Sequence, residues 1–309
     1  MKIGLVDVDG HNFPNLPLMK LSAWHKSQGD NVEWVLPIFD EHYDIVYMSK
    51  VFGFSRDYPY NINADKIIKG GTGYQIKLID GKEIYEKEGD TQLPEEIEHM
   101  YPDYSLYPEL TKDTAYGFLS RGCPRGCGFC HVAAKEGLKT YKVANLSEFW
   151  NGQKYIKLLD PNLLACKEHL ELLQQLIDSG AYIDFTQGLD IRLINKKNIE
   201  LINKLKIKAL HFAWDNPTDD LKNKFQWFLD NSTIGHWKLS AYVLTNFNST
   251  HEEDLRRVYT LRDLDIAPYI MVYDKEHAPQ ITRLLQRWVN NKKIFKTVKR
   301  FEDYNPKMG

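Results

Sequence analysis

The chain has 309 residues, 43% hydrophobic and 27% charged, with 19 Gly and 13 Pro, a composition that excludes a disordered, fibrous or low-complexity protein. Forty basic residues against 42 acidic ones leave a formal net charge of −2, so nucleic acid is not indicated as a partner by overall charge, nor is an anionic membrane, and only a local patch stays open. No window approaches the roughly 18 apolar residues of a membrane span, and Asp7 and Asp9 stand where a signal peptide needs its apolar stretch, so a cytoplasmic protein with no membrane contact is expected.

In chain order, "KIGLVDV" is a short apolar run ending in acids, followed by "NLPLMKLSAWHKSQGD" with Leu18, Leu21 and Trp24 at helical spacing and Gly29 as a stop. "NVEWVL", "DIVYM" and "DKIIKGGTGY" supply three more apolar runs. Residues 1–78 therefore read as a small Rossmann-like parallel α/β domain. In "YQIKLIDGKEIYEKEG" the pair Asp80–Gly81 between alternating runs predicts a hairpin. "TQLPEEIEHMYPDYSLYPELTKD" is rich in Pro and Tyr with little periodicity, so residues 79–114 read as hairpin and connector.

From residue 115 six strand-like runs follow: "TAYGFLS", "YIKLLD", "AYIDFTQ", "KALHFAWD", "KLSAYVLT" and "APYIMVYD", with helical segments between most of them. Their starts lie roughly 26 to 40 residues apart, the length of one β/α unit. Asn195 and Thr218 read as helix N-caps, Gly180 as a stop, and Thr250 with Glu253 as a capping box. Alternating strand and helix means a parallel sheet covered by helices. Six units are too few for a closed eight-unit barrel, so 115–285 is expected to form a partial (β/α)6 TIM-like barrel, with 286–309 as a C-terminal extension. The basic "NNKKIFKTVKRFEDY" reads first as a solvated helix covering one barrel end, with nucleic-acid contact as the other reading.

Three of the four cysteines, Cys123, Cys127 and Cys130, fall in "SRGCPRGCGFCHVAAKEG" at C-x3-C-x2-C spacing. In a reducing compartment that pattern points to metal ligation rather than to a disulfide framework. The loop directly follows "TAYGFLS", at the strand end where active-site loops gather in β/α barrels. Gly122, Gly126 and Gly128 let it wrap tightly, and Pro124 stiffens it. Zinc would want four ligands, usually from paired knuckles, and there is one knuckle here. A four-iron cube held by three thiolates keeps one iron open. His131 adjoins Cys130 and is awkward for the same metal, while Cys166 precedes a helix where a buried thiol behaves as a small hydrophobe.

C-x3-C-x2-C with Phe129 before the last cysteine, after the first strand of a six-unit β/α series, resembles the radical S-adenosylmethionine superfamily. The resemblance covers about residues 115–275. It implies a 4Fe-4S cluster on Cys123, Cys127 and Cys130, with S-adenosylmethionine chelated to the open iron. It also implies an electron donor such as flavodoxin or ferredoxin, and a 5′-deoxyadenosyl radical that takes hydrogen from a substrate the sequence does not identify. Phe129 would offer its backbone to the adenine. Asp160, Gln187 and Arg192 are the foremost candidates to touch cofactor or substrate, ahead of Asn162, Asp190, Asp215, Asn246, Tyr273 and Asp274; each is open to the alternative of a cap or turn residue. The chain departs from the family in lacking a Gly-Gly-Glu run after the second strand, where "LLDPNLLA" stands, so the contact for the amino group of S-adenosylmethionine is unassigned. The N-terminal unit is similar to the cobalamin-binding domain of one branch. It has no D-x-H-x-x-G run, and His11 and His25 lie in the wrong context, which favours a vestigial domain. Alternatives are a cobalamin-dependent methyltransferase or rearrangement enzyme, and a non-catalytic zinc-stabilised binding module.

Overall fold

A computed structural model describes residues 1–10, 12–79 and 82–308. His11 and the Asp80–Gly81 turn lie outside the described residues. The N-terminal unit is a parallel sheet of β1 (Lys2–Asp7), β2 (Asn31–Trp34), β3 (Tyr43–Ser49) and β4 (Ala64–Gly70) in the order β2-β1-β3-β4. The helix Leu16–Ser27 begins where the Asn15 side chain accepts from the backbone N–H of Leu18, and it packs Leu18 and Leu21 on Ile3 and Leu5. β5 (Ile76–Ile79) and β6 (Lys82–Tyr85) pair antiparallel, as the hairpin pattern predicts. The stretch after them is more than a connector. Ile97 is buried in the N-terminal cluster, Tyr104 Oη donates to the Phe149 carbonyl at 2.5 Å, and Tyr107 Oη donates to Asp7 Oδ2 at 2.6 Å. Aromatic side chains here wedge the two sheets together.

The second sheet is entirely parallel: β7 (Thr114–Gly117), β10 (Tyr155–Leu158), β11 (Tyr182–Leu189), β12 (Lys206–Ala213), β13 (Leu239–Thr245) and β14 (Ala267–Val272) stand side by side in chain order. Between them, β8 (Ser120–Arg121) and β9 (Tyr141–Lys142) form a small antiparallel pair that closes the cysteine loop at its base. β7 and β14 are the two edges. Side chains alternate across this sheet. Ala115, Ile156, Ile183, Leu210, Ala241 and Ile270 are fully buried in the main core with the covering helices. The opposite face carries Tyr116, Lys157, Asp184, His211, Tyr242 and Tyr269.

Most element ends fall where the sequence places them. Asn195 caps its helix, Thr250 and Glu253 form the capping box, and Gly180 ends its helix in a left-handed conformation. Thr218 does not cap: the helix Lys222–Asn231 begins after Leu221, and the Thr218 hydroxyl donates to Asn216 within a turn. The run "TAYGFLS" is broken after Gly117 because the next backbone N–H groups turn to Asp160. At the C-terminus a helix covers Gln280–Asn290, so no boundary falls at 285, and a shorter one covers Lys292–Thr297. Ile294, Phe295, Val298, Phe301 and Tyr304 pack on the main core, so the extension is an anchored part of the domain and not a solvated cover. Among the described residues no helix is long and apolar enough to cross a membrane.

Candidate metal centre

Because the six strands are parallel, the segments that leave their C-terminal ends gather along one edge. Those segments carry the three cysteines after β7, Asp160 and Asn162 after β10, Asp190 and Arg192 after β11, Asp215 after β12, Asn246 and Phe247 after β13, and Tyr273 after β14. Cys123 and Cys127 are half-buried and Cys130 is exposed. The loop is shaped by Gly122, whose φ is +82°; a Cβ there would lie 2.2 Å from the Lys139 carbonyl oxygen. Its base is tied down at both ends. Glu136 accepts from the Gly122 N–H at 2.8 Å and from Arg121 at 2.9 Å, and the Cys123 N–H donates to the Gly137 carbonyl at 3.2 Å.

The three sulfurs are near enough to feel each other. Burial pushes the Cys127 thiol up, followed by the charges of Cys130, Asp215 and Cys123, with Arg192 acting in the opposite sense. Cys130 is pushed up as well: the residue as a whole is exposed, but its sulfur is partly withdrawn from water, and Cys123 and Asp215 add to the rise against the Val132 N–H. The loop thus brings soft sulfur donors together beside Asp215, with Arg192 the cation that acts on Cys127.

Asp160 is fully buried, and its carboxylate accepts from the N–H groups of Leu119 and Ser120 and from Ser120 Oγ at 2.5–3.2 Å. Burial raises its carboxyl to about 6 against the pull of those donors. It fixes the backbone that launches the cysteine loop, which makes it a positioning residue. Asn162 is also buried. Its Nδ2 lies 3.6 Å from Cys123 Sγ, and its Oδ1 has no hydrogen-bond partner among the described residues. Gln187 is exposed on the bulged end of β11. Arg192 is engaged by Asp190 and Asp219 at 2.7 Å each, and Arg125 of the cysteine loop reaches the same Asp190 at 2.5 Å. Burial works against the Asp190 carboxylate, but the two guanidinium groups prevail and hold it below the usual range. Arg192 therefore joins the ends of β11 and β12, and Arg125 brings the cysteine loop to the same Asp190.

Phe129 meets Phe247 edge to face at 5.4 Å, and Phe247 meets Tyr273 at 5.0 Å, so an aromatic ridge borders the loop. Phe247 escaped the sequence reading, although "TNFNST" places it one residue after Asn246. Asn246 and Asp274 take turn roles: both have positive φ, Asn246 Nδ2 donates to the Tyr273 carbonyl, and Asp274 pairs with His277. Asp215 is raised to about 6 by burial, partly offset by Arg257 and Arg192. His131 lies 3.3 Å from Glu83 of the hairpin, and Cys166 is core, its thiol donating to Glu168 at 3.2 Å and pushed up to about 11 by burial.

In the N-terminal unit the glycines after β4 serve the chain itself. A Cβ on Gly71 would come 2.4 Å from the Lys50 carbonyl oxygen, and one on Gly73 would come 2.7 Å from that of Phe52. Asp9 binds the N–H groups of Val51 and Phe52, closing the same loops on one another. These close approaches account for the glycines by backbone packing. His25 is buried between Asp30 and Tyr47. A scan against protein-family models found no match to this chain, and a search of curated proteins found none.

Proposed function

We propose that the protein is a radical S-adenosylmethionine enzyme, an oxidoreductase or transferase working in a reducing cytoplasm. In this reading Cys123, Cys127 and Cys130 hold a 4Fe-4S cluster, and the in-order six-stranded sheet is the wall of a partial (β/α)6 barrel. The observation that carries it is a three-cysteine loop, Cys123, Cys127 and Cys130, that follows the first of six parallel strands. When bound, the cluster and S-adenosylmethionine would supply reductive carbon–sulfur cleavage and a 5′-deoxyadenosyl radical.

The chain's own groups then bind and orient. Asp160 and Glu136 hold the two ends of the loop, and Arg125 with Asp190 ties its outer side to β11. Asn162 directs an amide N–H at Cys123 and keeps an acceptor oxygen without a partner among the described residues, the kind of group an ammonium takes. The Phe129 and Phe247 rings offer a flat apolar edge for an adenine. The N-terminal unit acts in this reading as a packed scaffold without cobalamin.

The test is anaerobic reconstitution with iron and sulfide, followed by reduction and assay for 5′-deoxyadenosine. The expected result is a cluster signal and product, both lost in Cys127→Ala. Zinc without iron after anaerobic purification would support the binding-module alternative, and a cobalamin titration with a spectral change would support the cobalamin-dependent one.

A further inference from the structure

A cleft of about 890 Å³ runs along the edge of β14, between Tyr269 on the sheet and the helix Gln280–Asn290 with the residues that follow it. Five of its lining residues are basic, Lys275, Arg283, Arg287, Lys292 and Lys293, and none is acidic. The whole chain carries slightly more acid than base, so this is a local concentration and not a general bias. Elsewhere the basic groups near the strand ends are matched: Arg125, Arg192 and Arg257 each hold a carboxylate. Lys275, Arg283, Lys292 and Lys293 are exposed and form no salt bridge among the described residues.

Arg283, Arg287 and Asn290 recur at helical spacing on the side of the helix that faces the cleft. They make a row about 10 Å long, extended by Lys292 and Lys293 at one end and by Lys275 at the other. That row is longer than one phosphate group and suits several in succession. Tyr269 forms the other wall, 48% exposed, with its ring 5.9 Å from Tyr242, which in turn stacks on His211 at 5.2 Å. These rings lie on the sheet face away from the helices. Four cations without a salt bridge among the described residues, Lys275, Arg283, Lys292 and Lys293, beside an exposed aromatic are the arrangement that takes single-stranded nucleic acid, with phosphates on the cations and a base on the ring.

We infer that this cleft binds a single-stranded polynucleotide as the macromolecular substrate, with its phosphodiester backbone on the row Lys275, Arg283, Lys292 and Lys293 and a base against Tyr269. Binding follows from the cleft alone; its role as substrate rests on the proposed radical chemistry.

The test is fluorescence anisotropy with the reconstituted full-length protein and a labelled single strand of about 12 nucleotides, between about 50 and about 200 mM salt. The variant Lys275→Gln/Arg283→Gln/Lys292→Gln/Lys293→Gln should bind more weakly and lower the slope of log K against log salt by about 3, at roughly 0.7 per lost contact. Tyr269→Ala should weaken binding about tenfold with the salt slope unchanged. Lys222→Gln/Lys224→Gln, on another helix, should bind like the unaltered chain. Circular dichroism and the thermal midpoint should be unchanged in the quadruple variant, since all four side chains are exposed. No binding, or a slope that ignores the four substitutions, overturns the inference. So does a mononucleotide or inorganic phosphate that competes as well per phosphate as the strand, or binding to anionic phospholipid vesicles without binding to the strand. Cys127→Ala should still bind the strand, so failure of the cluster chemistry and failure of this site are separately visible.

Discussion

Nδ2 of Asn162 points at Sγ of Cys123 from 3.6 Å, while Oδ1 of the same amide is buried without a partner among the described residues. An N–H group aimed at a ligand sulfur stabilises negative charge on it and so favours the reduced form of a bound cluster. Asn162→Ala should retain iron after reconstitution but show a more negative midpoint in a potentiometric titration followed by EPR. Asn162→Asp, which sets a carboxylate against a thiolate, should retain less iron than Asn162→Ala. Equal potentials in the unaltered chain and Asn162→Ala would show that the contact does not act on the sulfur.

Asp160 gives a prediction with a sign in pH. Its folded carboxyl is raised from 3.8 to about 6, so between those values the folded chain holds a proton that the unfolded chain has released. The associated stability is fully present below about 3.8 and lost by about 6, a difference of about 3 kcal/mol at most. Asp160→Asn has no such titration, and its amide N–H₂ opposes the N–H groups of Leu119 and Ser120. It should be destabilised relative to the unaltered chain, and by more at pH 4.5 than at pH 7.5 in urea titrations. A gap that is constant with pH would contradict the raised carboxyl.

How far the sequence could be read follows from which signals are local. The six strands, the Asn195 and Thr250 caps and the Gly180 stop depend on residues within a few positions of each other, and the structure places them as expected. Thr218 misleads because a hydroxyl near a helix start bonds as well in a turn as in a cap. The roles of Asp160 and Arg192 depend on partners 40 and 27 residues away, Ser120 and Asp219, which a one-dimensional pattern does not reveal. The polar face of the sheet was present as alternation in "YIDFTQ", "LHFAW" and "SAYVLT", where Asp184, His211 and Tyr242 occupy every second place. The cleft beside β14 was hidden because the cations of one helix face are scattered through "RLLQRWVNNKK", so the last residues looked merely basic.

Asn290 closes the exposed edge of β14. Its Oδ1 accepts from the Ile270 N–H at 2.8 Å and its Nδ2 donates to the Ile270 carbonyl at 3.0 Å, imitating the strand that is missing there. An open strand edge is a template for pairing with another chain. Asn290→Ala should lower stability by about 1–3 kcal/mol, through the half-buried Ile270 N–H left unpaired, while the Ile270 carbonyl keeps Gln286 Nε2 at 3.3 Å. It should also increase light scattering on mild heating, whereas Asn290→Gln should recover little because the amide is displaced by one methylene. A melting curve and scattering profile identical to those of the unaltered chain would remove the edge role.

Arg257 sets the heaviest structural constraint on the candidate site. Its side chain is fully buried, Nη1 donates to the carbonyls of Trp214 and Asp215 at 2.7 and 2.9 Å, and Nη2 donates to the Leu244 carbonyl at 2.9 Å and to Asp254. One guanidinium therefore ties the ends of β12 and β13 and places the Asp215 carboxyl near the cysteines. Arg257→Met strips three carbonyls of a donor and leaves Asp254 a buried, unpaired carboxylate, so a loss of about 3–5 kcal/mol is expected in denaturant titrations. Arg257→Met/Asp254→Leu removes the stranded charge as well and should regain part of that loss, a coupling seen as non-additivity in the double-mutant cycle. If the two substitutions simply add, Asp254 is not held by Arg257. With stability partly restored, the double variant should still retain less iron, because Asp215 and the β12 end have lost the group that positions them.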